Sequence, residues 1–196
     1  MAEGGAVFRF LPEESTTIVG EAIMNDLVIR RETPADNDAV RRVNNEAFGQ
    51  PNEADLVEAL RTRGALTLSL VAERDGIIVG HILFTPATIE SEGSTIKTTT
   101  LAPMSVLPEY QNLGIGSDLV RSALAECRGL GHRAAFVLGH PDYYPRFGFV
   151  PSKSRYGIDC EFEVPDDVFM ALELVPGALE GIRGTMKYQP EFRECT

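Results

Sequence analysis

Between Leu107 and Val120 the chain reads LPEYQNLGIGSDLV, with Gly114 and Gly116 one residue apart. They stand where a strand-like run gives way to a helical pattern. The N-terminus of a helix carries unpaired backbone N–H groups and the positive end of the helix dipole, so it receives anions, phosphates above all. A glycine at that point lets the backbone approach a ligand, because no Cβ intervenes. The segment QNLGIGS, Gln111 to Ser117, could therefore cradle a phosphate or pyrophosphate. A tight strand-to-helix turn with no ligand would use the same spacing, and the glycines alone do not separate the two. A nucleotide loop of the Walker type needs GK[ST] at its end, and the chain has none. A dinucleotide-binding turn needs a third glycine or alanine where Leu119 stands, and an early parallel strand before it.

Other chemistry finds little footing. His81, His132 and His140 are scattered without metal-ligand spacing, so no metal site is expected. Cys127, Cys160 and Cys195 are odd in number and form no CxxC pair, which points to a reducing, cytoplasmic setting. Cys127 falls on the apolar side of a helical pattern and reads as a small core residue. A formal net charge of -11 makes a nucleic-acid partner a poor expectation. The same charge could draw a cationic substrate or simply favour solubility. No apolar run is long enough to span a membrane, and no signal-peptide pattern opens the chain, so no membrane partner is expected.

The elements that must position the glycines follow from periodicity. The 196 residues, 43% hydrophobic and 24% charged, suit one globular domain. Residues 1–24 mix glycines and acids without a period and read as an N-terminal extension, disordered or an added strand; the domain is expected over 25–196. Asp26 to Arg31 is a strand. Thr33, Pro34 and Asp36 open a helix through a capping box. Val40, Val43, Ala47 and Phe48 continue it, and a second helix runs from Glu53 to Arg63. A meander follows: Ala65–Glu73, a hairpin turn at Asp75-Gly76, Ile77–Thr85, a turn over Ser91–Ser94, and Thr95–Val106. Pro103 cannot donate to a ladder, so a bulge or an unpaired stretch is expected there. After the glycines come a helix with Val120, Ala123, Leu124 and Cys127 on one face and a buried parallel strand, Ala134–Leu138. A short helix over Asp142–Phe147 and strands at Phe149–Val150, Val168–Val175 and Gly184–Tyr188 complete the series. The fold class is α/β (α+β): a mixed, mostly antiparallel central sheet with helices on both faces.

Gln111, Gly114 and Gly116 spell Gln-x-x-Gly-x-Gly, and Tyr144, Gly148 and Phe149 in YPRFGF spell Tyr-x-x-x-Gly-Phe. Together, in this order and on these elements, the two motifs resemble those of the GNAT N-acetyltransferase superfamily. The resemblance spans roughly residues 25 to 190. The stretch VLGHPDYYPRFGF is most similar to a group of small, poorly characterised bacterial GNAT proteins.

The resemblance implies an acyl-CoA N-acyltransferase fold and an enzyme that uses acetyl-CoA as cosubstrate. It implies that the acetyl group passes to a primary amine of a small molecule or protein by direct attack, through a tetrahedral intermediate. The pantetheine arm would lie between two splayed strands, Thr95–Val106 and Ala134–Leu138, like an added strand, against Met104, Ser105 and Val106. The amides of Gln111, Asn112, Leu113, Gly114, Ile115, Gly116 and Ser117 would hold the pyrophosphate. The N–H of Val106 would meet the oxyanion. Tyr144 would protonate the departing thiolate, with Tyr143 beside it turned elsewhere. No base is assigned: Glu109, His140 and His81 qualify only by residue type. Arg121, Arg128 and Arg146 could reach the cofactor's 3′-phosphate, although a solvated helix charge explains each as well. The acceptor would be set by Pro34–Arg63 and Ser152–Asp167. Late strands such as Val168–Val175 could pair across a homodimer. A non-catalytic acyl-CoA-binding or interaction module on the same fold is the alternative.

Overall fold

The computed structural model describes residues 27–194. The expected N-terminal extension, Asp26 and Cys195 lie outside the described residues. Among the described residues nine strands form one sheet: β1 (Leu27–Arg31), β2 (Leu68–Arg74), β3 (Ile77–Ser91), β4 (Ser94–Val106), β5 (Ala134–Leu138), β6 (Val150–Pro151), β7 (Ile158–Cys160), β8 (Phe169–Glu173) and β9 (Gly184–Lys187). The main path runs β1-β2-β3-β4-β5-β8-β6, with β9 bridging β3 and β7. Pairing is antiparallel except for β4 with β5 and β7 with β9. The helices are α1 (Asn37–Phe48), α2 (Asn52–Arg63), α3 (Ile115–Gly129) and two short pieces, α4 (Ser152–Tyr156) and α5 (Glu191–Glu194). None of the described helices is long and apolar enough to cross a membrane.

Helices α1 and α3 lie on opposite faces of the sheet. Successive strand residues point to opposite sides. A Cβ built on Gly80 would meet Leu119 of α3 at 3.0 Å, whereas the next residue, His81, reaches Asn44 of α1 at 3.2 Å. Val40 and Val43 of α1 and Leu119, Val120 and Ala123 of α3 are each at most 1% exposed, so both sheet faces are sealed. Phe136 of β5 stacks on Phe169 of β8 with centroids 5.7 Å apart, fixing the centre of the later half. Each such buried side chain contributes roughly 1.5–3 kcal/mol.

The entry to α1 is locked by Asp36. A 3-10 turn, Pro34–Asp36, precedes the helix, with the capping box that Thr33 and Asp36 foretell. The Asp36 carboxylate accepts the Thr33 N–H at 2.8 Å and takes the Arg30 guanidinium end-on, Nη1 at 2.7 Å and Nη2 at 2.8 Å. Those Arg30 hydrogen bonds hold the Asp36 carboxyl far below the usual carboxylate range.

Strand β3 runs beyond the expected end at Thr85, through Pro86. Pro86 sits after the last β2 pair, Leu68 with Phe84, and before the first β9 pair, Thr88 with Lys187. No ladder on that side needs the N–H that proline lacks. The segment 152–167, expected as loop, contains α4 and β7. Both edges of β8 carry partners within the chain, β5 on one side and β6 on the other.

Candidate active site

Strand β4 builds the site by leaving its neighbour. Its parallel pairing with β5 covers Thr99 to Leu101 and ends at Leu101–Val137, while β4 itself continues to Val106. The expected irregularity at Pro103 is present. Ile82 pairs with Met104 and Phe84 with Leu101, so β4 carries one extra residue opposite β3. Beyond that bulge no strand pairs with β4 on its β5 side among the described residues, and this edge, facing the end of β5, is the slot.

Which backbone groups face the slot follows from the ladder. Gly80 pairs with Val106, and the Leu107 N–H donates to the Val79 carbonyl at 2.9 Å. Gly80 and Val106 are therefore a non-hydrogen-bonded pair, and the N–H and C=O of Val106 point away from β3, into the slot. The same alternation turns the backbone groups of Met104 that way. Ser105, between them, directs its side chain to the α1 face. There its Oγ is buried with no hydrogen-bond partner among the described residues.

At the exit of β4, Gln111 Nε2 donates to the Val106 carbonyl at 3.0 Å and ties the loop to the strand. Asn112 and Gly114 have positive φ, 61° and 89°, and Gly114 is the N-cap of α3. The left-handed conformation at Gly114 lets the chain turn sharply into α3 without the Cβ penalty that other residues meet there. The Asp118 N–H reaches back to the Gly114 carbonyl at 3.1 Å, whereas the amides before it have no helical carbonyl to bond. The glycine motif thus occupies a helix N-terminus at the mouth of the slot.

Tyr144 stands on the other wall, in a 3-10 turn (Tyr144–Phe147) that follows β5. It is 7% exposed. Its ring lies edge-on to Tyr143 at 5.1 Å and to Phe149 at 5.8 Å. Gly139, the first residue after β5, provides the floor: a Cβ there would fall 2.2 Å from Tyr144 Cε2. Burial pushes the Tyr144 hydroxyl well above its ordinary pKa, so it stays protonated at any physiological pH. Tyr143, expected to face elsewhere, places its hydroxyl against Gly116. Its ring thus diverges from that of Tyr144, which lies against Gly139, and runs toward the glycine loop.

Of the residues weighed as bases, His81 is shown to lie on the α1 face. His81 is fully buried among Asn44, Ser69 and Glu32 on the α1 face. Asn44 Nδ2 donates to His81 Nδ1 at 3.2 Å, which leaves the ring proton on Nε2, donated to Ser69 Oγ at 3.0 Å. Ser69 donates onward to Glu32, and Arg61 closes the chain on the other Glu32 oxygen at 2.5 Å. Burial lowers the pKa of His81, so the imidazole stays neutral. Glu109 is exposed on the 3-10 turn Pro108–Tyr110, and His140 Nδ1 accepts the Asp142 N–H at 3.3 Å. Arg128 lies in the last turn of α3, about 20 Å along the helix from the loop. Arg121 pairs with Asp118 and lies over Phe147, and Arg146 lies over Tyr143. Burial raises the Cys127 thiol to about 12, as suits a core residue. No group of three or more His, Cys, Asp or Glu suited to a metal occurs among the described residues.

Comparison with known proteins agrees with this architecture. Residues 28–151 match the profile of the acetyltransferase (GNAT) domain. The uncharacterised N-acetyltransferase YjhQ of Escherichia coli (strain K12) is 41% identical over 135 residues, 68% of this chain and 75% of that protein. The uncharacterised N-acetyltransferase YhbS of the same strain is 31% identical over 167 residues, 85% of this chain and 98% of that protein. The structure of E. coli YhbS in complex with CoA superposes with a TM-score of 0.81 at 30% identity, covering 92% of this chain and 96% of that one. A GNAT acetyltransferase from Brucella melitensis, in complex with acetyl-CoA, gives 0.70 at 37% identity, covering 85% and 97%. With its domain profile, its relatives and its splayed sheet in agreement, the chain belongs to the GNAT acetyltransferase family.

Proposed function

We propose that the protein transfers the acetyl group of acetyl-CoA to a primary amine, with the cosubstrate seated in the slot between β4 and β5. The observation that carries this reading is the early end of the β4–β5 ladder at Leu101. Between there and Val106, β4 offers an edge that no described strand pairs, its Val106 carbonyl tied to the glycine loop by Gln111. The chain's residues fit the cosubstrate at three points. The edge of Met104 and Val106 matches the amides of a pantetheine arm. The N-terminus of α3 at Gly114 matches a diphosphate. Tyr144, protonated and in the turn that follows β5, matches the thioester end.

Bound acetyl-CoA supplies an activated thioester. The Val106 N–H, aimed into the slot, is the donor for the oxygen that becomes negative when the amine attacks. Such a donor is worth about 3–4 kcal/mol when it is fixed beforehand. Tyr144 gives its proton to the departing thiolate and is restored from solvent. Met104 and Val106 line the arm, whereas Ser105 turns its backbone to β3 and its side chain to the α1 face. The Gln111 amide donates to the Pro108 carbonyl, so the amides of Gly114 through Ser117 hold the diphosphate. The acceptor approaches along α1, α2 and the 152–167 segment.

Calorimetric titration with acetyl-CoA tests the reading without any choice of acceptor. One saturable site per chain is expected, with Y144F binding equally well while losing thiol release in an amine screen. No binding up to millimolar cosubstrate would remove the transferase reading. Binding with no thiol release by the wild-type protein, and so none to lose in Y144F, would mark a module that holds acyl-CoA without turning it over.

A further inference from the structure

The second tyrosine of the pair reaches the glycine loop. A Cβ placed on Gly116 would lie 2.8 Å from Tyr143 Oη and 3.6 Å from Met104 Cε. Gly116 is the second residue of α3, where backbone amides lack helical partners. Met104 belongs to the slot edge of β4. The phenol of Tyr143 therefore reaches from the wall that carries Tyr144 to the glycine loop, across the mouth of the slot. Its ring is held on three sides, by Tyr144 at 5.1 Å, Phe147 at 5.4 Å and the Arg146 guanidinium at 4.5 Å over the ring face. A cation on that face withdraws electron density and makes the hydroxyl a better donor toward an anion.

We propose that Tyr143 clasps the diphosphate of acetyl-CoA: its hydroxyl donates to a diphosphate oxygen seated on the amides at the start of α3. This rests on the acetyl-CoA reading above. Gly116 lacks a side chain to admit this hydroxyl as much as the ligand. The two adjacent tyrosines thus serve opposite ends of one cosubstrate. Tyr143 holds and positions the diphosphate, and Tyr144 faces the thioester.

The test is a double-mutant cycle on the full chain, read by acetyl-CoA titration and by thiol-release kinetics with an amine acceptor. Y143F should bind acetyl-CoA about tenfold more weakly, the size of one hydrogen bond to a charged group. Its KM for acetyl-CoA should rise in proportion while kcat stays within about twofold, unlike a loss at Tyr144. G116A should also bind about tenfold more weakly, because the new methyl displaces the phenol. G116A/Y143F should bind no worse than Y143F alone, since phenylalanine leaves room for the methyl. Y143F binding as tightly as wild type would overturn the clasp, as would G116A costing the same factor in both backgrounds. Wild-type protein that failed to bind acetyl-CoA would overturn the cosubstrate reading and the clasp together. Wild-type binding with an unmoved Y143F would overturn the clasp alone.

Discussion

Gly139→Ala changes one methyl group and should disable the enzyme without emptying its cosubstrate site. The added Cβ would lie 2.2 Å from Tyr144 Cε2, 2.7 Å from Cδ2 and 3.2 Å from Cζ. To regain ordinary contact at 3.4 Å, the ring must retreat by about 1.2 Å. It has little room, since Tyr143 and Phe149 stand edge-on at 5.1 and 5.8 Å and the residue is 7% exposed. A displacement of about 1 Å in a group that must meet a reacting atom costs on the order of a hundredfold in rate. Overpacking of this kind also destabilises by about 1–3 kcal/mol, which in a domain of this size lowers Tm by roughly 2–12 °C. The expected result is kcat reduced by about a hundredfold, acetyl-CoA affinity within about threefold of wild type, and a folded protein that melts a few degrees early. Thiol release, titration and calorimetry read the three quantities. A G139A protein with wild-type kcat would refute the placement of Tyr144 on Gly139 or its part in proton transfer.

Other perturbations follow from the same geometry. Gly114→Val meets open space but must adopt φ of 89°, so it should weaken acetyl-CoA binding through the turn alone; titration showing wild-type affinity would remove the loop from the site. Burial lowers the His81 pKa, so below the unfolded value of 6.5 the unfolded chain takes a proton that the folded one refuses. Stability should therefore fall between pH 7 and 5, by at most about 1.4 kcal/mol per pH unit for one such site. The Glu32 and Asp36 carboxyls act with the same sign, but only below their unfolded values of 4.5 and 3.8. His81→Gln should flatten the slope of Tm against pH to what half-buried His132, shifted the same way, leaves behind; an unchanged slope would place the titration elsewhere. Asp36→Ala removes both the capping box and the Arg30 pair and should cost about 2 kcal/mol, or roughly 4–8 °C in Tm, measured calorimetrically.

Much of this arrangement is legible before any coordinates, for local reasons. A capping box, the Asp75-Gly76 turn and an apolar run such as Ala134–Leu138 are governed by near neighbours. Pro103 announces a bulge because a missing N–H is a property of one residue. The glycine loop is readable because strand exit, N-cap and helix are contiguous. What escapes depends on distant partners. Pro86 reads as a strand breaker until the gap between β2 and β9 is known. Strand β7 is three residues long and is held by β9, 26 positions later at Ile158–Gly184. The hydrogen-bonded chain from Asn44 through His81 and Ser69 to Glu32 and Arg61 joins four elements and the link after β1. Its only sequence trace is a lone histidine in an apolar strand, for which a satisfied core residue is the ordinary reading. The approach of Tyr143 to Gly116 escapes because it joins the turn after β5 to a helix that begins before that strand.

A crystal structure of the protein grown with CoA tests the central claim most directly. The account places the pantetheine arm along Met104–Val106 between β4 and β5, the diphosphate on the amides of Gly114–Ser117, and the sulfur within hydrogen-bond reach of Tyr144 Oη, about 3.0–3.5 Å. CoA bound outside that slot, or a sulfur beyond reach of Tyr144, would contradict it.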